Sequence, residues 1–105
     1  MATMKFKMTR HAKVDRIDRL SACVTVLGVG EVILETVFEE SRLRLTDTGL
    51  CLVVDRYEEK LITGYMCPIH RCTAMYKSMG YARVPHNIYN TVVKNCKKYP
   101  HLLQM

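Results

Sequence analysis

The sequence has no apolar run that approaches the roughly 20 residues needed to cross a bilayer. Its basic N-terminus, punctuated by methionines, lacks the apolar core of a signal peptide. Internal repeats and low-complexity segments are also absent. At 105 residues with 49% hydrophobic content, the chain is long enough for one hydrophobic core and too short for two. We therefore expect a single cytoplasmic domain over residues 1–105 without a membrane span.

A disulfide framework is also missing. Five cysteines are an odd number, and Cys23, Cys51 and Cys96 sit in apolar patterns where a free thiol packs as a small hydrophobe. Disulfides are rare in reducing compartments. Cysteine usage therefore favours the cytoplasm.

The sequence also lacks the two groups of ligands that a structural zinc site pairs. Cys67, His70 and Cys72 are metal-ligating residue types close together in the chain. Structural zinc sites pair their ligands in two such groups, and here Cys96 would have to serve as the fourth ligand. Helical spacing points Cys72 toward the core instead. We predict no metal ion and no cofactor.

What the chain does have is positive charge. Sixteen Lys and Arg residues against ten Asp and Glu give a net charge of +6 and a pI near 9.2. Such a balance favours a polyanionic partner, and nucleic acid is the usual one for a small basic domain. Charge alone does not establish this, because many small basic proteins bind nothing specific.

The most ordered pattern lies in residues 43–65. Three short apolar runs are separated by two polar breaks, the first ending in Asp47-Thr48-Gly49 and the second covering residues 56–60. Two consecutive hairpins have this pattern, so we predict a three-stranded antiparallel meander. Residues 50–54 are apolar throughout, which indicates a middle strand covered by helices.

The N-terminal third is predicted to be mostly helical. Residues 4–9 alternate apolar and polar side chains, which indicates a short strand or extended arm able to pair with an edge of the meander. Residues 12–20 have helical spacing. Residues 23–27 fit a strand or the end of that helix equally well. Residues 31–40 place apolar side chains at i, i+4 and are predicted to form an amphipathic helix that covers the meander.

Two more helices are predicted after the meander. Pro68 suits the start of a helix over residues 69–79, and Gly80 suits its C-terminal cap. A last helix begins around Val84-Pro85-His86 and ends before Pro100. The predicted fold class is α+β, with an antiparallel three- to four-stranded sheet and helices packed on one face.

This order of elements resembles the small ribonuclease-like superfamily that includes RelE-type toxins and their barnase-like and colicin-like relatives, and more closely a branch of short bacterial and phage proteins built on that fold. The residues that carry the resemblance are short segments spread over most of the chain: 9–12 with Arg16 and Arg19, 45–50, 61–65, 74–77 and 83–85. The resemblance implies the fold and, for active members, RNA cleavage without a metal ion.

Metal-free RNA cleavage needs a base, an acid and cations that stabilise charge on the phosphorus. His11 is the predicted proton carrier, because an unperturbed imidazole titrates at about pH 6.5. Arg16 and Arg19 are predicted to hold the phosphate through forked contacts. Thr63 and Tyr65 lie two apart on one predicted strand and point to the same face, where they can act as donors.

The same residues have a structural interpretation. On this interpretation, His11 would cap a helix, the two arginines would pair with Asp15, Asp18 or Glu31, and Tyr65 would belong to the core. The sequence leaves both interpretations open.

Further basic residues after the meander are predicted to contact the phosphates of a nucleic acid. They are Arg71, Lys77, Arg83, Lys94, Lys97 and Lys98. The predicted function is thus a small RNA-binding protein, with metal-independent endoribonuclease activity as its narrower form. The alternative is a non-catalytic, phage-encoded protein that binds and modulates a host protein.

Overall fold

The computed structural model describes residues 7–8, 17–38, 41–57 and 59–103. Five strands and three helices form an α+β fold, as predicted. In chain order they are β1 (Lys7–Met8), α1 (Ile17–Leu27), β2 (Val32–Phe38), β3 (Ser41–Thr46), β4 (Leu50–Asp55), β5 (Lys60–Met66), α2 (Ile69–Ser78) and α3 (His86–Lys98). A 3₁₀ turn, Pro100–Leu103, follows α3. Among the described helices, none is both long and apolar enough to cross a membrane.

The five strands form one sheet in the order β1-β5-β4-β3-β2. Strands β2 to β5 are antiparallel to their neighbours, so the predicted meander of β3, β4 and β5 is confirmed. Strand β1 pairs in parallel with the start of β5, where Lys7 lies opposite Lys60. The predicted pairing of residues 4–9 with a meander edge therefore holds for Lys7 and Met8; the other residues of that segment lie outside the described ranges.

The predicted helix over residues 31–40 is wrong, because Val32–Phe38 is a strand. Leu34 and Thr36 are buried, opposite Leu45 and Leu43 of β3, while Val37 stays exposed. The segment is rich in β-branched residues, which favour strands. Its i, i+4 apolar pairs also fit an alternating pattern, and pairing with the edge of β3 decided between the two.

Residues 23–27, left open between helix and strand, form the end of α1. The predicted helix over residues 12–20 is described only from Ile17 onward. The two helices after the meander are confirmed: α2 is followed by Gly80 at φ +91°, and α3 starts directly after Pro85. Gly80 suits this position because a left-handed conformation carries no steric penalty for glycine.

Helices pack on both faces of the sheet, which corrects the predicted one-sided arrangement. Side chains alternate along β4, so Cys51 lies on one face and Leu52 on the other. Cys51 packs in a cluster with Met75 of α2 and Val92 of α3. Leu52 packs instead with Leu20 of α1. The nearly uninterrupted apolar run of β4 reflects this cover on two sides.

The β3–β4 turn connects three separate parts of the chain. The Thr48 hydroxyl donates to the Gly28 carbonyl at 2.9 Å, which ties the turn to the α1–β2 connection. From the other side, the Asn95 side-chain amide of α3 donates to the Thr48 carbonyl at 2.9 Å. Gly49, at φ +94°, leaves room for this contact, since a Cβ there would lie 2.4 Å from Asn95 Nδ2. The turn thereby fixes α3 against the sheet.

Candidate nucleic-acid interface

A cleft of about 640 Å³ opens where β5 ends, between α1, α2 and the 3₁₀ turn. Its polar lining consists of Arg19, Tyr65, His70 and Arg71. Its apolar lining includes Met66, Ile69, Leu102 and Leu103. None of the described acidic side chains lines it. We call this cavity the arginine cleft.

The side chains of Arg19 and Tyr65 approach the arginine cleft from opposite faces of the sheet. The Arg19 guanidinium carbon lies 4.9 Å from the centroid of the Tyr65 ring, which is a cation–π contact. Tyr65 lies opposite Cys51, on the face that α2 and α3 cover, while α1 packs on the other face. Within the described residues, strand β1 pairs with Lys60 and Leu61 of β5. The contact between Arg19 and Tyr65 lies farther along β5, beyond this pairing.

Arg71 enters the arginine cleft from the first turns of α2. Its Nε atom is buried and has no hydrogen-bond partner within the described residues, and the same holds for Nε of Arg19. An unpaired buried donor costs about 1–3 kcal/mol. Nε of Arg42 is buried in the same way, so what sets Arg19 and Arg71 apart is that both side chains line one cavity.

Tyr65 is held in its protonated form. Burial raises its pKa well above the ordinary value, and the neighbouring Cys51 raises it further. Tyr65 is therefore a hydrogen-bond donor and not a base at any physiological pH.

The other predicted catalytic residues are not all in the cleft. Thr63 shares the face of Tyr65, as its spacing predicts, but is buried, and its hydroxyl has no partner among the described residues. His11 and Arg16 lie outside the described residues, so their roles stay predictions. His70, which the sequence indicated only as a zinc ligand, is exposed and lines the cleft.

The predicted phosphate-contacting residues fall into three places. Arg71 lies in the arginine cleft. Lys77 and Arg83 line a second cavity, between the end of α2 and the start of α3. The three lysines of α3 are exposed and share a shallow groove on its outer side; they are Lys94, Lys97 and Lys98.

Charge is segregated along the chain. All ten acidic residues lie at or before Glu59, whereas residues 60–105 carry seven of the sixteen Lys and Arg residues. Strand β5, α2, α3 and the 3₁₀ turn therefore form an acid-free region with a positive field. This signal was present in the sequence and would have strengthened the prediction of a polyanionic partner.

Three of the five cysteines form a buried thiol cluster. Cys51, Cys67 and Cys72 are all buried free thiols, and the Cys96 thiol donates to the Cys67 carbonyl at 3.8 Å. Cys67 is the donor in its hydrogen bonds with the Cys51 and Cys72 thiols, and these contacts together with burial raise the pKa of Cys67 strongly. Within the described part of the chain, no three His, Cys, Asp or Glu side chains are arranged to hold a metal ion.

Two other arginines lie in a contrasting environment on the sheet. Arg44 Nε donates to Glu35 at 2.5 Å and its Nη2 donates to Glu59 at 2.8 Å. Arg42 donates to the same Glu59 carboxylate at 2.5 Å. Glu59 adopts φ +54°, in the left-handed region, which costs a non-glycine residue about 1–2 kcal/mol. The four side chains form a closed ion-pair network.

Comparisons of this chain with protein-family models, with curated proteins and with solved structures found no significant match. The resemblance to RelE-type ribonucleases therefore stays a prediction from the sequence. Function is argued below from the geometry and charge of the described residues.

Proposed function

We propose that this protein binds single-stranded RNA, with one phosphate of the strand held in the arginine cleft. The observation that carries the proposal is that Arg19 and Arg71 line one cavity to which no described residue contributes a carboxylate. A guanidinium is the side chain best suited to forked contacts with phosphate. The acid-free region around the cleft supports the proposal, because it attracts a polyanion over a longer range.

The shape of the cleft favours a flexible strand over a duplex. Apolar side chains such as Ile69 and Leu103 line it together with Tyr65, so it can receive part of a base as well as a phosphate. Bases are available for such contacts in single strands and are stacked away in a duplex.

Metal-independent cleavage is the narrower form of the proposal. His70 lines the cleft beside both arginines, and histidine is the side chain that most often transfers protons in catalysis. Tyr65 supplies a hydroxyl donor. In this scheme His70 carries the proton, Arg19 and Arg71 stabilise the charge on the phosphate, and His11 remains the alternative proton carrier predicted from the sequence.

The binding test is fluorescence anisotropy with a labelled single-stranded RNA over a range of salt concentrations. Arg19→Met and Arg71→Met keep the aliphatic stem and remove the charge. Each is expected to weaken binding more than about tenfold, since a hydrogen bond to a charged group contributes roughly 1.5–3 kcal/mol. Each should also lower the log–log salt slope by about 0.7 for the lost phosphate contact.

Arg56→Met is the matched control, because Arg56 lies in the turn between β4 and β5, at the opposite end of that hairpin from the cleft. Equal losses in the control and in the cleft variants would reduce the proposal to non-specific charge attraction. Incubation of the RNA in EDTA with wild type, His70→Ala and His11→Ala tests cleavage. Intact RNA with the wild type would remove the enzymatic form.

The predicted alternative, a protein partner, is favoured by a different observation. Val32, Ile33 and Val37 of the edge strand β2 are 49%, 39% and 57% exposed. Exposed apolar side chains on an edge strand mark a surface able to pair with another chain. A wild-type protein that binds no RNA at low salt would move the search to this edge.

A further inference from the structure

A second cavity, of about 590 Å³, lies at the end of the α2–α3 pair remote from the arginine cleft. The start of α2 and the end of α3 contribute to the arginine cleft, whereas the end of α2 and the start of α3 line this second cavity. The two cavities thus share no lining residue and use different turns of α2. We call the second cavity the Tyr89 pocket.

Three basic side chains surround the Tyr89 pocket. Lys77 comes from the last turn of α2, Arg83 from the connecting loop, and His86 from the first turn of α3. All three are exposed, and none of the described acidic residues lines the pocket. The α2–α3 connection thus gathers two cations and an imidazole from three separate segments around one cavity.

Tyr89 adds an aromatic surface to these cations. It lines the pocket and is 42% exposed, so part of its ring is open to a ligand. Val84 and Pro85 supply apolar lining beside it. An aromatic ring next to cations is the arrangement that holds an unpaired base and its phosphate in proteins that bind single strands.

The start of α3 contributes a further feature to the same cavity. Pro85 occupies the N-cap position and no side chain caps the helix. Backbone N–H groups in the first turn of a helix attract anions when they lack a protein acceptor. The pocket therefore combines an aromatic ring, three basic side chains and an uncapped helix start.

We propose that the Tyr89 pocket binds one nucleotide of the RNA strand, with the base stacked on Tyr89 and the phosphate held by Lys77, Arg83 and His86. This inference rests on the proposed RNA binding and adds to it a second contact point for the same strand. From the Tyr89 pocket, the exposed side of α3 continues through Asn90 to Lys94. Asn90 donates to His86 Nε2 at 3.1 Å, and Lys94 follows one turn later.

The test combines affinity with photocrosslinking. A single-stranded RNA that carries 5-iodouridine is bound to the full chain, irradiated, and the crosslinked residue is identified by mass spectrometry. We expect a crosslink at Tyr89. Tyr89→Leu should lose it and bind RNA about tenfold more weakly with an unchanged salt slope, because stacking on a base carries no charge. Tyr89→Phe should bind like the wild type.

Tyr57→Leu is the matched control. Tyr57 is 79% exposed and lies in the β4–β5 turn, so it offers the same ring without the surrounding pocket. A second pair of variants separates charge from stacking: Lys77→Met and Arg83→Met should lower the salt slope, each by about 0.7. Circular dichroism of every variant checks that the fold is kept.

The outcomes separate the two proposals. RNA binding by the wild type together with equal affinities of Tyr89→Leu and Tyr57→Leu, and a crosslink elsewhere, would overturn the Tyr89 pocket while leaving the arginine cleft intact. Absence of RNA binding by the wild type would overturn both. Single-stranded DNA of the same sequence is the comparison ligand, and equal affinity for DNA would overturn the assignment to RNA.

Discussion

Two pairs of arginines in this molecule have opposite environments. Arg42 and Arg44 on β3 share the carboxylate of Glu59, and Arg44 also binds Glu35. Arg19 and Arg71 line a cleft, and no described carboxylate pairs with either of them. Sequence composition treats the four residues alike. The structure separates arginines that hold the sheet together from arginines whose charge remains available to a ligand.

The difference follows from where the acids lie. Strands β2 and β3 pair so that Glu35 comes directly opposite Arg44, and a cross-strand pair of opposite charge stabilises a sheet. The arginine cleft is built mainly from the acid-free region, with Arg19 brought in by α1. Among the described residues, no carboxylate pairs with the cleft arginines. This is the physical reason for assigning their charge to an external anion.

The largest effect is expected from placing a carboxylate in the cleft. Leu103 lines the cleft and is 39% exposed, so Leu103→Glu should be tolerated by the fold. The new carboxylate would pair with the cleft arginines and repel a phosphate, and RNA affinity should fall by about tenfold or more, roughly 1.4 kcal/mol. Anisotropy titrations measure it. Leu103→Gln is the control, and an equal loss in that variant would refute the charge argument.

The next prediction separates stability from binding. Arg44→Met removes the described ion-pair partner of Glu35 and one of the two partners of Glu59, and the Arg44 side chain is only 14% exposed, so the free energy of unfolding should fall by about 1–2 kcal/mol. RNA affinity should stay unchanged. Arg19→Met should show the reverse, with little loss of stability because no carboxylate loses a partner. Urea denaturation followed by circular dichroism measures both. A destabilised Arg19→Met would indicate that this arginine is structural.

Acid should remove the contribution of the β3 network. The hydrogen bond from Arg44 lowers the pKa of Glu59, against the opposing effect of desolvation, and Arg42 lowers it further. A lowered pKa stabilises the fold above the ordinary value of 4.5, and this stabilisation disappears as the pH falls through the folded-state pKa. Glu59 is half-exposed, so solvent screening limits the effect to about 1 kcal/mol or less.

Glu59→Gln measures that effect. The difference in unfolding free energy between wild type and variant should be largest at neutral pH and shrink below pH 4.5. A difference that stays constant from neutral pH into acid would assign it to the backbone conformation of residue 59 instead of its charge.

The smallest effect concerns Thr63. Its hydroxyl is buried without a partner among the described residues, so Thr63→Val keeps the shape and removes an unsatisfied polar group. We expect stability to stay the same or rise by less than about 1 kcal/mol. RNA affinity should not change, because Thr63 does not line the cleft. Lower affinity at equal stability would restore the site role predicted from its spacing.

The meander of β3, β4 and β5 was more predictable than the elements before it. The meander was correctly predicted because two clear turn segments separate three apolar runs, a local signal. Residues 31–40 fit both a helix and a strand by periodicity, and only the free edge of β3 decided between them. The packing of helices on both faces of the sheet could not be predicted either, because it depends on α1 lying on the face opposite α2 and α3.

The site was predictable by residue type and less so by arrangement. Arg19 and Tyr65 were predicted to lie together, and they are in contact around the edge of β5. Arg71 was assigned to a separate binding surface, because nothing in the local sequence shows that the start of α2 faces Tyr65. His70 was considered only beside its neighbouring cysteines. Which residues share a cavity depends on long-range packing that spacing along the chain does not encode.

The contact between Asn95 and the β3–β4 turn has a consequence for the cost of binding. It joins positions 47 residues apart in sequence and anchors α3 in its last third, next to the residue that α3 contributes to the arginine cleft. A helix fixed in this way does not have to be ordered when a ligand arrives. Conformational entropy that a mobile helix would lose on association is already lost in folding, so contacts along α3 contribute more fully to affinity.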